Sequence, residues 1–180
     1  MISIKILLVE DSRISAKFVL GLLAEGTTET YDVTVAATLA EAMDQLDQHV
    51  FDLVLLDLML PDSSDMDTLD KARAKAPNTA VVVMTASAQT HTAKEALRRG
   101  CQDFLIKGSF DGNLLRHVIR YAVERNRMEM ELRLKEQRFE DYAEAGADWF
   151  WEMGPDQWPT LFRHERGVSR LPRDRHRHLH

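Results

Sequence analysis

A single cysteine, Cys101, stands among the 180 residues, so no disulfide can close within the chain. One thiol suits a reducing compartment, and the expected location is the cytoplasm. Signal-peptide chemistry is missing: after Lys5 a short apolar run meets Glu10 and Asp11 before an h-region can develop. Long hydrophobic runs are missing as well. The longest stretch without a formal charge, residues 76–93, contains Pro77, Asn78, Gln89 and His91 and is too polar to span a bilayer. Basic charge is in deficit, 23 Lys and Arg against 29 Asp and Glu for a net −6, which argues against a general binder of nucleic acid or anionic membrane. There is no GxxxxGK[ST] loop for nucleotide hydrolysis. Nothing after residue 125 reads as a helix-turn-helix, so direct DNA binding is not expected.

What remains has the balance of a folded protein, 44% apolar and 29% charged. The length allows one domain of about 100 to 150 residues with an appendage, or two very small domains. Charge is unevenly spread: from Trp158 to His180 there are six Arg against Glu165 and Asp174, a net of +4 that leaves −10 for the rest. Body and tail are compositionally different.

Through the first 125 residues, short β-branched or leucine-rich runs alternate with helical patterns, the sign of a parallel α/β sheet. Five runs are nearly continuous in apolar residues and read as buried strands: 4–9, 31–36, 51–56, 80–84 and 104–106. Between them, Ile14, Phe18 and Leu22 recur every four residues before Gly26, a helix stop. Thr38 followed by Glu41 reads as a capping box ahead of an apolar face of Leu39, Ala42, Met43 and Leu46. A third helix is expected to carry Met66, Leu69, Ala72 and Ala76 and to end before Pro77, and a fourth to carry Ala93, Ala96 and Leu97 and stop at Gly100. The last should begin near Asp111 and outrun the domain, because neither Gly nor Pro occurs from Leu114 to Tyr142. Leu114, Val118, Tyr121, Met128, Leu132, Phe139 and Tyr142 follow alternating steps of three and four, with Arg125 and Lys135 at seam positions between them. That spacing fits either a coiled-coil linker or a solvated helix.

In a doubly wound sheet the binding crevice forms at the carboxyl ends of the strands. Those ends carry Glu10 and Asp11, then Asp57, Thr85 and Lys107. Each has an ordinary explanation alone: Asp11 as a helix cap, Asp57 as a solvated acid, Thr85 as a turn hydroxyl, Lys107 as a surface charge and Phe104 as core filling. Together they form a site. Crowded carboxylates repel, and a hard divalent cation such as Mg²⁺ relieves the repulsion. With an incoming phosphoryl group partly neutralised, Asp57 can attack phosphorus and form an acyl phosphate, while Lys107 pairs with a phosphate oxygen and Thr85 donates a hydrogen bond.

Four segments in order, ILLVEDS, DLVLLDLMLPD, MTAS and FLIKGS, make residues 1–125 resemble the receiver domain of two-component response regulators. The resemblance implies a flavodoxin-like, doubly wound five-stranded parallel sheet in the order 2-1-3-4-5, with an extended C-terminal helix. It implies Mg²⁺ bound by Glu10, Asp11, Asp57 and the Met59 backbone carbonyl, phosphorylation of Asp57, and phosphoryl contacts from Lys107 and Thr85. Phe104 looks like the aromatic switch position. The implied partners are a sensor histidine kinase or phosphotransfer protein, and a second copy through the fourth-helix, fifth-strand and fifth-helix face or the linker helix.

The chain departs from the family pattern in places. Gly108 stands where Pro usually follows the strand-five Lys, and Asp65 where Gly is common. Two residues beyond Asp57 and Thr85 stand Met59 and Ser87, neither well suited to hold a hydrolytic water. A diffusible-substrate phosphatase is disfavoured because dehalogenase-like enzymes place a second Asp where Met59 stands, and a pseudo-receiver binding partners without phosphorylation is the other alternative. Residues 126–145 resemble linker helices that join receivers to further modules. FEDYAEAGADWFWEM resembles the opening of a PAS domain, so 146–180 is expected to be a truncated PAS-like fragment with a disordered basic tail, in a chain cut short or frame-shifted. Trp149, Phe150 and Trp151 are expected to cover an apolar patch or promote association. The alternating His176, His178 and His180 read as a solvated end.

Overall fold

The computed structural model describes residues 3–25, 30–86, 90–147, 149–153 and 159–163. Gly26, Ser87 and the histidine-rich end lie outside them, as does the expectation attached to each. The described chain forms two units, residues 1–131 and 132–180.

In the first unit the elements run β1 (Ser3–Val9), α1 (Arg13–Ala24), β2 (Thr30–Ala36), α2 (Leu39–Gln48), β3 (Leu53–Asp57), β4 (Met59–Leu60), β5 (Ser63–Ser64), α3 (Asp65–Lys75), β6 (Ala80–Thr85), α4 (Thr90–Arg98), β7 (Asp103–Ile106) and α5 (Gly112–Ala147), which continues into the second unit. The five long strands make one parallel sheet in the order β2-β1-β3-β6-β7, the doubly wound, flavodoxin-like arrangement. β4 and β5 form a small antiparallel pair beyond Asp57. The second unit holds β8 (Trp149–Met153) paired antiparallel with β9 (Pro159–Arg163).

Strand alternation sorts the core onto two faces. Ile4, Ile6 and Leu8 pack with α1 and α5 through Val19, Leu23, Leu115 and Ile119. Leu7, Val9, Val54 and Leu56 pack on the other face with Leu39, Leu69, Ala72 and Ala96 of α2, α3 and α4. Central strands are therefore apolar along most of their length, and β3 is buried throughout.

The third strand starts later than its apolar run. Phe51 is buried, and Asp52 accepts the Lys5 N–H at 2.9 Å through its side chain while its own N–H donates to the Lys5 carbonyl at 2.9 Å. On α1 the buried positions are Ala16, Val19 and Leu23, whereas Ile14 is 84% and Phe18 47% exposed. The expected row of Ile14, Phe18 and Leu22 is thus largely an outward stripe, and the core contact is made one position further round.

The caps follow local chemistry. Thr38 Oγ1 accepts the Glu41 N–H at 3.1 Å, while Glu41 reaches back to the Ala37 N–H at 2.8 Å. Gly100, at φ +88°, ends α4 with the paired bonds Cys101 N–H to Ala96 and Gly100 N–H to Leu97 carbonyls. Asp111 opens α5 by accepting the Leu114 N–H at 2.8 Å. Among the described residues no helix is long and apolar enough to cross a membrane.

Candidate functional site

Because all five strands of the sheet are parallel, their carboxyl ends share one edge. Glu10 and Asp11 follow β1, Asp57 ends β3, Thr85 ends β6 and Lys107 follows β7. The strand order sets β3 between β1 and β6, so Asp57 sits at the middle of the edge. Every sequence-derived site residue except Ser87 falls among the described residues, and the charged ones converge.

Oxygens of Glu10, Asp11 and Asp57 lie within 4.8 Å of one another. Glu10 is 2% and Asp57 5% exposed, whereas Asp11 faces solvent. Lys107 Nζ lies 2.5 Å from Glu10 Oε2 and 2.6 Å from Asp57 Oδ2, so one ammonium bridges the two buried acids. Burial pulls the Lys107 pKa down, but hydrogen bonding and charge from Asp57 and Glu10 outweigh this and raise it above 10.5. Thr85 is buried, and its carbonyl accepts the Lys107 N–H at 2.8 Å, which ties the exit of β7 to the end of β6. Phe104 packs, half-buried, against the α2–α3–α4 side of the core.

Asp11 is not the cap of α1. Ser12 holds that role, its hydroxyl accepting the Ser15 N–H at 3.3 Å. Asp11 is thereby left available at the mouth of the cluster. Met59 donates its N–H to Asp57 Oδ1 at 3.1 Å, while its side chain projects into solvent.

Two departures from the family pattern acquire definite geometry. Gly108 adopts φ +77°, a left-handed conformation closed to Pro, and no cis peptide occurs among the described residues. Asp65 adopts φ +56°, the left-handed turn for which glycine is suited, with its N–H on the Leu58 carbonyl at 2.8 Å.

Sequence reasoning missed the supports of the acceptor loop. Asp62 spans from that loop to the start of α2, its two oxygens accepting the Leu39 and Ala40 N–H groups at 2.8 and 2.9 Å. The Leu39 N–H bond is the main reason its pKa falls below 3.8, against a smaller cost of burial. Thr68, fully buried on α3, bonds the Leu58 carbonyl at 3.1 Å and Ser63 Oγ at 2.9 Å. A contact 23 residues apart, as between Asp62 and Leu39, has no local signal. Beside the cluster, a cavity of about 300 Å³ is lined by Glu10, Ile14, Phe18, Met84, Lys107 and Phe110.

The donor set fits a hard divalent cation. Glu10 Oε2 is buried against the Lys107 ammonium, and three carboxylates converge where that ammonium now supplies the positive charge. Such an acidic cluster is compatible with Mg²⁺ and with phosphoaspartate chemistry.

The family model of the response regulator receiver domain matches residues 6–120. The regulatory protein LuxO of Vibrio vulnificus is 39% identical over 94 residues, which cover 52% of this chain and 20% of LuxO. The transcriptional regulatory protein ZraR of Escherichia coli is 38% identical over 101 residues, 56% of this chain and 22% of ZraR. The chain thus spans about a fifth of the length of these curated relatives. Among solved structures, the receiver domain of a LuxO repressor protein from Vibrio parahaemolyticus is similar with TM-score 0.63 and 27% identity, covering 73% of this chain and 98% of that one. NtrX from Brucella abortus gives TM-score 0.66 and 27% identity over 76% of this chain and 31% of its own. With the family model covering more than half of its length and the acidic edge in place, the chain belongs to the response regulator receiver domain family.

Proposed function

We propose that this chain is a phosphorylation-dependent switch of a cytoplasmic two-component phosphorelay, in which Asp57 accepts a phosphoryl group from a sensor histidine kinase or a phosphotransfer protein. The observation that carries this reading is the bridging of Asp57 and Glu10 by Lys107 beside Asp11. Glu10, Asp11, Asp57 and the Met59 carbonyl would hold Mg²⁺. When bound, Mg²⁺ neutralises charge on the phosphoryl oxygens.

The chain's own residues do the rest. An Asp57 carboxylate oxygen forms the new bond to phosphorus as the donor's P–N bond breaks, and the departing histidine nitrogen keeps the electron pair. Lys107 exchanges its bond to Asp57 for one to a phosphoryl oxygen, and the Thr85 hydroxyl donates to another. The added charge draws both inward and lets Phe104 repack, shifting an existing equilibrium at α4 and β7. Ile14 and Phe18, exposed beside the site on α1, offer the donor protein an apolar footing.

A receiver of this kind catalyses only its own phosphorylation and dephosphorylation. The signal leaves by protein contacts, with a second copy or with an output module, without direct DNA binding. Residues 1–125 are the switch, 126–145 the helical linker, and 146–180 a PAS-like piece with a basic tail. To test this, a phosphorylated phosphotransfer domain is mixed with the chain, and the label should move to it only with Mg²⁺ and not to Asp57→Asn. Failure of every tested donor to label the wild type would favour a pseudo-receiver.

A further inference from the structure

The acidic cluster is assembled from two separate stretches of chain, Glu10 and Asp11 after β1 and Asp57 to Met59 after β3. Ladder pairing between β1 and β3 ends at Val9 and Leu56, so Glu10 and Met59 both lie beyond it and are placed by other contacts. Glu10 donates its N–H to the Ala36 carbonyl at 2.9 Å, which fixes it against the end of β2, just ahead of α2. The acceptor loop reaches the same corner from the other side. Asp62, in the turn between β4 and β5, accepts the Leu39 and Ala40 N–H groups at 2.8 and 2.9 Å with its two oxygens. With the Glu41 N–H on Thr38 Oγ1, the first N–H groups of α2 are all bonded, those of Leu39 and Ala40 by a residue of the acceptor loop.

We propose that Asp62 is a positioning residue for the cation: by tying the acceptor loop to the start of α2, it holds the Met59 carbonyl at a set spacing from Glu10 and Asp11. Its role rests on the Mg²⁺ ligands assigned under the proposed function, and it adds to them a residue that touches neither the metal nor the phosphoryl group.

Mg²⁺ tolerates little departure from octahedral geometry, so a carbonyl ligand on a short loop serves it only if the loop is held. The other supports of this loop face α3: the Leu58 carbonyl takes the Asp65 N–H at 2.8 Å and the Thr68 hydroxyl at 3.1 Å, and Leu60 is buried in the core. Asp62 supplies the bond in the direction of α2 and β2, where Glu10 is fixed. A charged acceptor at a helix N-terminus makes that bond strong. The Met59 N–H, on Asp57 Oδ1 at 3.1 Å, carries any shift of the loop to the acceptor carboxylate as well. Asp62 itself is exposed, so its truncation opens no cavity, and the α3 contacts keep the loop folded without it.

Calorimetric titration of the full, unphosphorylated chain with Mg²⁺ tests this without any phosphoryl transfer. Asp62→Ala should raise the Mg²⁺ dissociation constant by about tenfold, the usual cost of losing a residue that orients a ligand. Asp62→Asn, which keeps one acceptor oxygen without the charge, should fall between it and the wild type. Asp52→Ala is the control: it also removes an Asp that accepts a backbone N–H, from Lys5 at 2.9 Å, but at the opposite edge of the sheet, and should leave Mg²⁺ affinity unchanged. With a small acyl-phosphate donor, Asp62→Ala should need more Mg²⁺ for half-maximal labelling yet approach the wild-type rate at saturation, whereas partial unfolding would lower the maximum alone. In the metal-free protein, amide exchange should quicken at Met59 to Ser64 and not in α3 beyond Thr68. An Asp62→Ala variant that binds Mg²⁺ like a binding-competent wild type, an equal loss in Asp52→Ala, or an Asp62→Asn no better than Asp62→Ala overturns the role of Asp62 and leaves the proposed function standing. A wild type that takes up no Mg²⁺ overturns both.

Discussion

Lys107 and Asp57, fifty residues apart in sequence, form an ion pair of 2.6 Å at the edge of the sheet. The same ammonium holds Glu10, so it occupies the ground where a metal ion is wanted. Lys107→Ala removes that competitor, and Mg²⁺ should bind severalfold more tightly in titration while phosphoryl transfer slows. The pair also sets a pH dependence. The folded Lys107 pKa is raised above 10.5, so its stabilising contribution is complete below that value and is lost as pH climbs through the folded one. Urea unfolding should show a steeper alkaline loss of stability for the wild type than for Lys107→Met. Equal slopes would place the shift elsewhere.

Gly108→Pro tests the loop that carries Lys107. Proline is the usual family residue, yet its ring fixes φ near −65° and Gly108 stands at +77°. The substitution should destabilise the domain by about 2 kcal/mol or more, and Gly108→Ala by about 1 kcal/mol. An unaltered urea midpoint for Gly108→Pro would mean that the loop has a second, equally stable path.

Asp65→Gly should do the reverse. A non-glycine residue at φ +56° carries strain, and relieving it should raise stability by about 0.5 to 1 kcal/mol, with no change in the slope of the denaturant curve. A loss would show that the Asp65 charge in the first turn of α3 matters more than the backbone.

The acyl phosphate should be long-lived, in the class of minutes or longer. Met59 projects its thioether into solvent and offers no strong polar group to a water, and Ser87 has only a short hydroxyl. Met59→Asn with Ser87→Glu should shorten the lifetime measured by loss of label. Decay within seconds in the wild type, or none gained by the double substitution, contradicts the role given to these positions.

The strands were legible because parallel strands covered on both faces leave no room for polar alternation, as in the unbroken Leu53–Leu56 run. Glu10, Asp57, Thr85 and Lys107 were legible because each lies at or just after such a run. Helix faces were harder to read. In α1 the bulky Ile14 and Phe18 drew the pattern outward, whereas the small Ala16 takes part in the buried contact with Val19 and Leu23. The Thr38–Glu41 capping box was readable because its partners are three residues apart, whereas the anchoring of Asp62 on α2 depends on a fold already in place. The left-handed backbone of Gly108 likewise follows from how the chain leaves β7, with the Ser109 N–H returning to the Ile106 carbonyl at 3.0 Å.

The central claim is that Asp57 is the phosphoryl acceptor and that Mg²⁺ is required. Incubating the chain with a small acyl-phosphate donor and reading its intact mass tests both at once. The expected result is a gain of one phosphoryl group with Mg²⁺, no gain after chelation, and none in Asp57→Asn. A wild type that stays unmodified under excess donor and Mg²⁺, or an Asp57→Asn variant that gains the same mass, would contradict it.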